Sequence, residues 1–543
     1  MDLIFAAGTA LVVSLVLIPV MVRLAPQLGL LDEPNARKVH TTPVPRVGGW
    51  GIAGGALVAV MLWQPMEPLT WAFVFGGMMM LVAGASDDVR ELRGRTKLVL
   101  QVMAVVPVVI YAGLVIEYAP LIGAIPFWIS AILSILGLIV CINGTNTSDG
   151  LDGLAAGATM LSLCGILYVA LAGGATNIVL MAAAALGGLF GFLRHNTYPA
   201  ILFMGDLGSQ FLGFVVGMLA LALVQALPGA ISPWALPLLI GLPTVDIVVV
   251  ALRRLKAGVP LLRPDKTHIH HRFMDLGFTH TQAVIAIYTL QGSFVFFGVA
   301  LRTSGPGAIL LVYALHLAVI YGFLSLAEAT RGEPRPHKIT AKEPHGATEP
   351  KRPALLWVPR VLLETVIPLA LVSTALVAER IPFDFGVLGA ILLCVMTLRL
   401  FSGRLQGQMA TRIPVFLVAT AVLYVYCNYR PFASDLSRVL EIAVVGAIAL
   451  MAAVAVEFSP KRRAEEFRWN AMDYLLALFA LLAVIAFRTT PSAFNPYFLI
   501  YLPAILYSVE LLLVERRRRT NWLPPAALAA AAILAVRGLW LGG

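Results

Sequence analysis

The sequence predicts an all-α fold: a polytopic integral membrane helical bundle, with about 11 transmembrane helices before a polar linker and about 7 after it. Three observations carry this. The 543 residues are 59% hydrophobic and only 13% charged, with a mean hydropathy of +0.87, a composition foreign to soluble globular chains. Apolar runs of roughly 17–22 residues recur throughout, each long enough to cross a hydrocarbon core of ~30 Å as a helix. The net charge of +10 is distributed over alternate loops and not over one soluble face, which excludes nucleic acid as the partner.

In chain order, spans are expected near 3–23, 48–64, 70–86, 98–117, 126–142, 154–172, 177–193, 208–227, 234–251, 282–301 and 308–327. The first follows Met1-Asp2 without the basic stretch of a signal peptide, so it reads as a retained helix entering with its N-terminus outside. The loops at 24–47, 87–97, 143–153, 194–207 and 252–281 then share one side and hold Arg37, Lys38, Arg46, Arg93, Lys97, Arg253 and Lys266 among others. The opposite loops hold only Arg302, and the positive-inside rule makes the rich side cytoplasmic. A polar stretch, "EATRGEPRPHKITAKEPHGATEPKRP", follows from Glu328 and reads as a solvated connector over 331–353. Further spans are expected near 355–377, 386–401, 413–427, 438–457, 472–487, 496–514 and 523–541. The chain thus divides into a membrane domain over 1–330, a linker and a C-terminal multi-span module over 354–543 that repeats none of the earlier motifs. The four cysteines sit in or beside apolar segments without CxxC spacing, and read as small apolar residues.

Five carboxylates, Asp87, Asp88, Asp149, Asp152 and Asp206, fall in or beside the cytoplasmic loops of the first part. Each would cost about 2.5–3.5 kcal/mol at the bilayer centre, so a shared hydrated cleft at the helix ends is the economical reading. The segment "NGTNTSDGLDGLAAG", Asn143 to Gly157, is the densest of these loops. As an EF-hand it would put Ala156 where a bidentate Glu is required. As a CDP-alcohol phosphotransferase signature it lacks the Ala-Arg pair and the further aspartates, and no Walker A motif occurs.

Five motifs in order, "RKVHTTPVPRVGG", "ASDDVRELRGRTKLVLQ", "NGTNTSDGLDGLAAG", "RHNTYPAILFMGDLGS" and "RPDKTHIHHRF", make residues 1–330 resemble the polyprenyl-phosphate N-acetylhexosamine-1-phosphate transferases, the group that includes undecaprenyl-phosphate GlcNAc-1-phosphate transferase and phospho-MurNAc-pentapeptide translocase. The resemblance covers about 60% of the chain and says nothing of the remainder. It implies transfer of a sugar phosphate from a UDP-sugar to a polyprenyl phosphate with release of UMP. The setting is a bacterial inner membrane, the active site faces the cytoplasm, and a lipid-linked glycan is started. Partners are then the two substrates and membrane lipid, with a homodimer allowed. Bringing two anions together calls for magnesium with oxygen ligands, manganese being the alternative.

By that resemblance Asp206 and Asp149 are the metal ligands, and Asp87, Asp88, Asp149 and His268 the catalytic set, with Asp87 placed first beside the lipid phosphate. Phe203 stacks the uracil, Asp152 bonds to it, and Asn146 and Asn196 hold the ribose and diphosphate region. Lys38 supplies charge, while His270 and His271 donate to the diphosphate and sugar. "HIHH" in place of a run of adjacent histidines points, by analogy, to the simple UDP-N-acetylhexosamine branch. A transporter or flippase of lipid-linked sugars is the competing reading. It would place ionisable groups near the bilayer midplane, not at helix ends.

Overall fold

The computed structural model describes residues 2–33, 43–258, 260, 267–330, 358–401, 408–429 and 522–540, with isolated positions between 447 and 512. Lys38, Lys266, the linker and most of the spans expected near 438–457, 472–487 and 496–514 lie outside the described residues. Helices dominate. The first unit runs α1 (Asp2–Leu28), α2 (Gly48–Trp63), α3 (Pro68–Arg90), α4 (Gly94–Ala112), α5 (Phe127–Ser148), α6 (Leu154–Gly173), α7 (Thr176–Asn196) and α8 (Gly205–Ala226). It continues with α9 (Leu236–Ile240), α10 (Leu242–Lys256), α11 (Ile269–Asp275), α12 (His280–Ala300) and α13 (Pro306–Thr330). Two two-residue antiparallel pairs, Leu31–Asp32 with Val44–Pro45 and Tyr118–Ala119 with Gly123–Ala124, are the strands found among the described residues. The described helices from Val358 onward, α14 (Val358–Val377), α15 (Phe383–Phe401), α16 (Gln408–Asn428) and α17 (Leu523–Trp540), form a second compact unit with its own apolar core. Ten of the described helices are long and apolar enough to cross a membrane, or eleven if a bent pair counts as one span. The protein is an integral membrane protein of the all-α class.

In the first unit α8 is the axis: 94% of its apolar window is buried, against 17% for α13 on the outside. It packs on α3, α5, α2 and α6. In lipid, helices associate through close backbone contact at small residues, because apolar side chains gain nothing by leaving the hydrocarbon. The N-terminus of α8 shows this twice. A methyl group on Gly84 of α3 would run into the backbone of Leu207, and one on Gly49 of α2 into that of Gly208. Asp206 is thereby set at a fixed height between α2 and α3.

Two expectations need correction. The single span foreseen near 234–251 is broken: Pro233–Ile240 and Leu242–Lys256 meet at 93°. Gly241 turns the corner at φ 76° and ψ −143°, a region that only glycine enters freely. Backbone freed at membrane depth must be satisfied inside the protein. Buried Gln291 of α12 does so, accepting from Leu242 N–H (2.8 Å) and donating to Ile240 O (3.1 Å) and Ser162 Oγ (2.8 Å). Second, Asn143 to Ser148, foreseen as loop, forms the last turns of α5.

Candidate active site

The motif-bearing segments meet at one end of the first unit, and the joints between them are specific. Phe203 N–H donates to Pro45 O (2.8 Å) while Gly48 and Gly49 N–H donate to Phe203 O (2.9 Å) and Met204 O (2.8 Å). The turn after α5 is tied to the end of α7, since Gly153 N–H donates to Asn196 Oδ1 (2.8 Å) and Asn196 Nδ2 to Leu202 O (2.9 Å). Tyr288 of α12 adds a hydroxyl donated to Gly153 O (2.7 Å).

At the centre stands Lys97, in the first turn of α4. Its ammonium lies 2.5 Å from Asp87 Oδ2 and 3.4 Å from Asp206 Oδ2, joining α3 to α8. Asp87 is buried and also accepts from Leu92 N–H (2.9 Å). Behind it a chain of amides runs into the bundle. Gln210 Nε2 reaches Asp87 Oδ2 (3.5 Å), Gln101 Nε2 donates to Gln210 Oε1 (3.1 Å), and Asn143 Nδ2 donates to Gln101 Oε1 (2.7 Å). Polar groups this deep in a membrane protein are costly unless satisfied, and here each partners the next.

Asp88 accepts Asp206 N–H (2.7 Å) on one oxygen and Leu207 N–H (3.1 Å) on the other. It caps α8 from outside, where first-turn N–H groups have no intrahelical partner. Asp88, foreseen in the catalytic set, thus holds the first turn of α8. Asn196 is likewise spent on backbone groups, and Asp152 gives Oδ2 to Ala200 N–H (3.0 Å). Asn146 Oδ1 accepts from Ser209 Oγ (2.6 Å).

Asp149 and Asp206 are the carboxylates not committed to backbone amides. Burial, reinforced by the negative charges of Asp206, Asp88 and Asp152, pushes the Asp149 carboxyl up to about 7. Among the described residues no three His, Cys, Asp or Glu side chains close around one point. The donor set is hard oxygen, which suits a cation that takes one or two carboxylates and completes its shell with water and phosphate.

The histidines form a second wall. His270 packs its Nε2 against Gly150, where no side chain would fit, so the α11 segment seats on the turn between Asp149 and Asp152. Burial first, then His271 and His268, hold the His270 imidazole down to about 3, hence neutral. The His268 and His270 rings are parallel with centroids 6.2 Å apart. His268 Nδ1 meets Asp246 Oδ2 at 2.8 Å, and Ile269 N–H donates to Asp246 Oδ1 (3.1 Å). Arg272 makes a two-pronged pair with Glu328 at the end of α13 (2.7 and 2.9 Å). Arg46 pairs with Asp32 beside the Phe203 joint.

Sequence reasoning named neither Asp246 nor the central part of Lys97. A signal for the first was present: an acid inside the apolar run "LPTVDIVVV" is a functional-site candidate by default.

Comparison with known proteins agrees with this assembly. Residues 70–224 match the glycosyl transferase family 4 profile. A probable undecaprenyl-phosphate N-acetylglucosaminyl 1-phosphate transferase of Bacillus subtilis (strain 168) is 31% identical over 304 residues, covering 54% of this chain and 84% of that protein. A decaprenyl-phosphate N-acetylglucosaminephosphotransferase of Mycolicibacterium smegmatis is 32% identical over 362 residues, covering 60% and 86%. The undecaprenyl-phosphate alpha-N-acetylglucosaminyl 1-phosphate transferase of Escherichia coli (strain K12) is 28% identical over 318 residues, covering 55% and 85%. With its motifs joined at one end of the bundle and its relatives matched over most of their length, the chain belongs to glycosyl transferase family 4, the polyprenyl-phosphate N-acetylhexosamine-1-phosphate transferases.

Proposed function

We propose that this protein transfers N-acetylglucosamine 1-phosphate from UDP-N-acetylglucosamine to polyprenyl phosphate. UMP is released, and the lipid-diphosphate sugar that starts an envelope glycan is formed at the cytoplasmic face of a bacterial inner membrane. One observation carries the reading: Lys97 pairs with Asp87 and Asp206, and Asp149 lies within electrostatic reach of Asp206, where apolar helices end. A membrane-anchored phosphate and a soluble nucleotide sugar can meet there.

An oxygen of the lipid phosphate attacks the β-phosphorus of the UDP-sugar. The bond from that phosphorus to the bridging oxygen breaks, and the bridging oxygen leaves on UMP. Both reactants are anions, so positioning and charge neutralisation are the protein's main tasks. Lys97 brings a positive charge to the meeting point and, through Asp87, keeps the lipid side of the cleft in register. Asp88 and the Gly84 and Gly49 contacts hold the first turn of α8 so that Asp206 stands still. Asp206 and Asp149 would hold magnesium, which when bound would draw charge from the phosphate oxygens. Asp152 fixes the 197–204 segment by Ala200, which presents Phe203 for the base.

The test is UMP release by the purified full-length protein given polyprenyl phosphate, Mg²⁺ and a panel of UDP-sugars. Release with UDP-N-acetylglucosamine well above the other sugars is expected. Release with none of the panel refutes the function, and release with another N-acetylated sugar alone moves the specificity.

A further inference from the structure

We propose that Asp246 is a positioning residue for the transfer reaction: it holds the His268 ring with Nδ1–H turned into the protein, so that the bare Nε2 faces the reacting groups as a proton acceptor. This rests on the transfer reaction proposed above.

The geometry is that of an orienting carboxylate. Asp246 is buried on α10, about one and a half turns from the Gly241 corner, and both its oxygens are used by one short stretch. Oδ2 takes His268 Nδ1 at 2.8 Å and Oδ1 takes Ile269 N–H at 3.1 Å. An ionised carboxylate accepts and does not donate, so in this pair the hydrogen sits on Nδ1. The bond made by one ring nitrogen decides what the other can offer. Among the described residues no protein group takes Nε2. The Ile269 contact removes the remaining freedom, because it fixes the backbone next to the ring and caps the start of α11. His268 is thus pinned by ring and by main chain to the same carboxylate.

The broken span explains why Asp246 is where it is. The 93° bend swings α10 across α5, with Gly144 pressed on Pro243 O, and brings Asp246 under the histidine segment. Gln291, by satisfying the backbone on both sides of Gly241, supports the corner. The chain Gln291, Gly241, Asp246, His268 is thus a continuous physical link from the middle of the bundle to the reaction site.

Asp246→Asn is the informative change. The amide still offers an oxygen to Ile269 N–H, so the cap survives. Its NH₂ now faces Nδ1 as a donor, which reverses the neutral tautomer and leaves Nε2 carrying the hydrogen. Turnover of UDP-N-acetylglucosamine should fall roughly 10–100-fold, the usual effect of removing the partner that orients a working histidine, with KM changed less than kcat. In a double-mutant cycle the loss should vanish when Asp246→Asn is placed on His268→Gln, since Asp246 then has nothing to orient. Nitrogen-15 NMR of histidine-labelled full-length protein in lipid reads the ring directly, the His268 signals being those missing in His268→Gln. The wild-type ring should carry hydrogen on Nδ1, and the Asp246→Asn ring should not. Wild-type turnover in Asp246→Asn overturns the proposal. So do additive losses in the cycle, and so does a wild-type His268 ring with bare Nδ1, a reading that stands even if the variant fails to fold. If the wild type turns over no UDP-sugar while the NMR result holds, the reaction assignment fails and the Asp246–His268 orientation survives.

Discussion

Replacing Lys97 by Met removes the one ammonium that the structure places between Asp87 and Asp206 while keeping the length of the side chain. The pair distances are 2.5 and 3.4 Å, Asp87 is 1% exposed, and Lys97 and Asp206 are each 27% exposed. At 3.4 Å and an effective dielectric of ~20, one such attraction is worth about 5 kcal/mol before desolvation is counted. Breaking a buried pair from one side typically costs ~3–5 kcal/mol, because the surviving charge stays buried without its partner. The partial exposure of Lys97 and Asp206 argues for the lower end, about 3 kcal/mol. The assay is unfolding of the purified protein in detergent with a chelator, wild type against Lys97→Met. Magnesium added back should restore most of the loss: at a concentration 100 times its dissociation constant, a ligand bound only by the folded state contributes about 2.7 kcal/mol. Turnover should stay about 10²–10³-fold down even in magnesium, because the charge opposite the lipid phosphate is gone. Equal stability of the two proteins in chelator would refute the neutralising part given to Lys97. A destabilised variant that magnesium fails to restore would leave Lys97 in place and refute the metal assignment.

Asp206→Asn should keep the fold, since Asp88 bonds to its main-chain N–H, yet lower UMP release by about 10²–10³-fold; near wild-type release from a folded variant removes Asp206 from the reaction. For His270, burial depresses the folded-state value to about 3, below the ordinary ~6.5, so the unfolded chain binds more protons between these values. The stability it contributes is complete above about 6.5 and is lost as the pH falls toward 3. His270→Gln should therefore lose about 2 kcal/mol less than wild type on going from pH 7 to pH 5, measured by denaturant unfolding, and parallel losses would contradict the burial argument. A chain ending at Thr340 should insert and release UMP at a specific activity close to that of the full protein, because every motif assigned to the reaction precedes it. A folded, UDP-sugar-binding truncation without turnover would give the C-terminal module a share in the chemistry.

What the sequence made legible follows from the length scale of each signal. A span needs about 20 apolar residues in a row, and such runs stand out without knowledge of their neighbours. The corner at Gly241 did not stand out, because apolar residues continue on both sides and the groups that satisfy the break, Gln291 and Ser162, lie about fifty and eighty positions away. "NGTNTS" looked like loop for its polar composition. It is helix because Asn143 and Asn146 find partners on α4 and α8, and partners of that kind are invisible along the chain. Site residues were legible by type and less so by task. Asn196 and Asp88 are where the motifs put them, but they bind backbone segments that come from 43 and 118 residues away. Asp246 is hard to single out along the chain because its carboxylate rides on a helix, away from the glycine-rich loops.

The start of a helix is ordinarily an anion trap: its first amides point outward with partial positive charge, and phosphates settle there. In α8 the trap is already sprung by the protein's own Asp88, whose two oxygens occupy the amides of Asp206 and Leu207. A diphosphate arriving at this end of the bundle therefore finds no ready-made backbone cradle at α8, and must be held by side chains that can let go. Lys97 can swing away on four methylenes, and the magnesium proposed for Asp206 and Asp149 could exchange, whereas a backbone dipole is permanent. An enzyme that must release UMP and a charged lipid in every cycle gains from grip of that revocable kind.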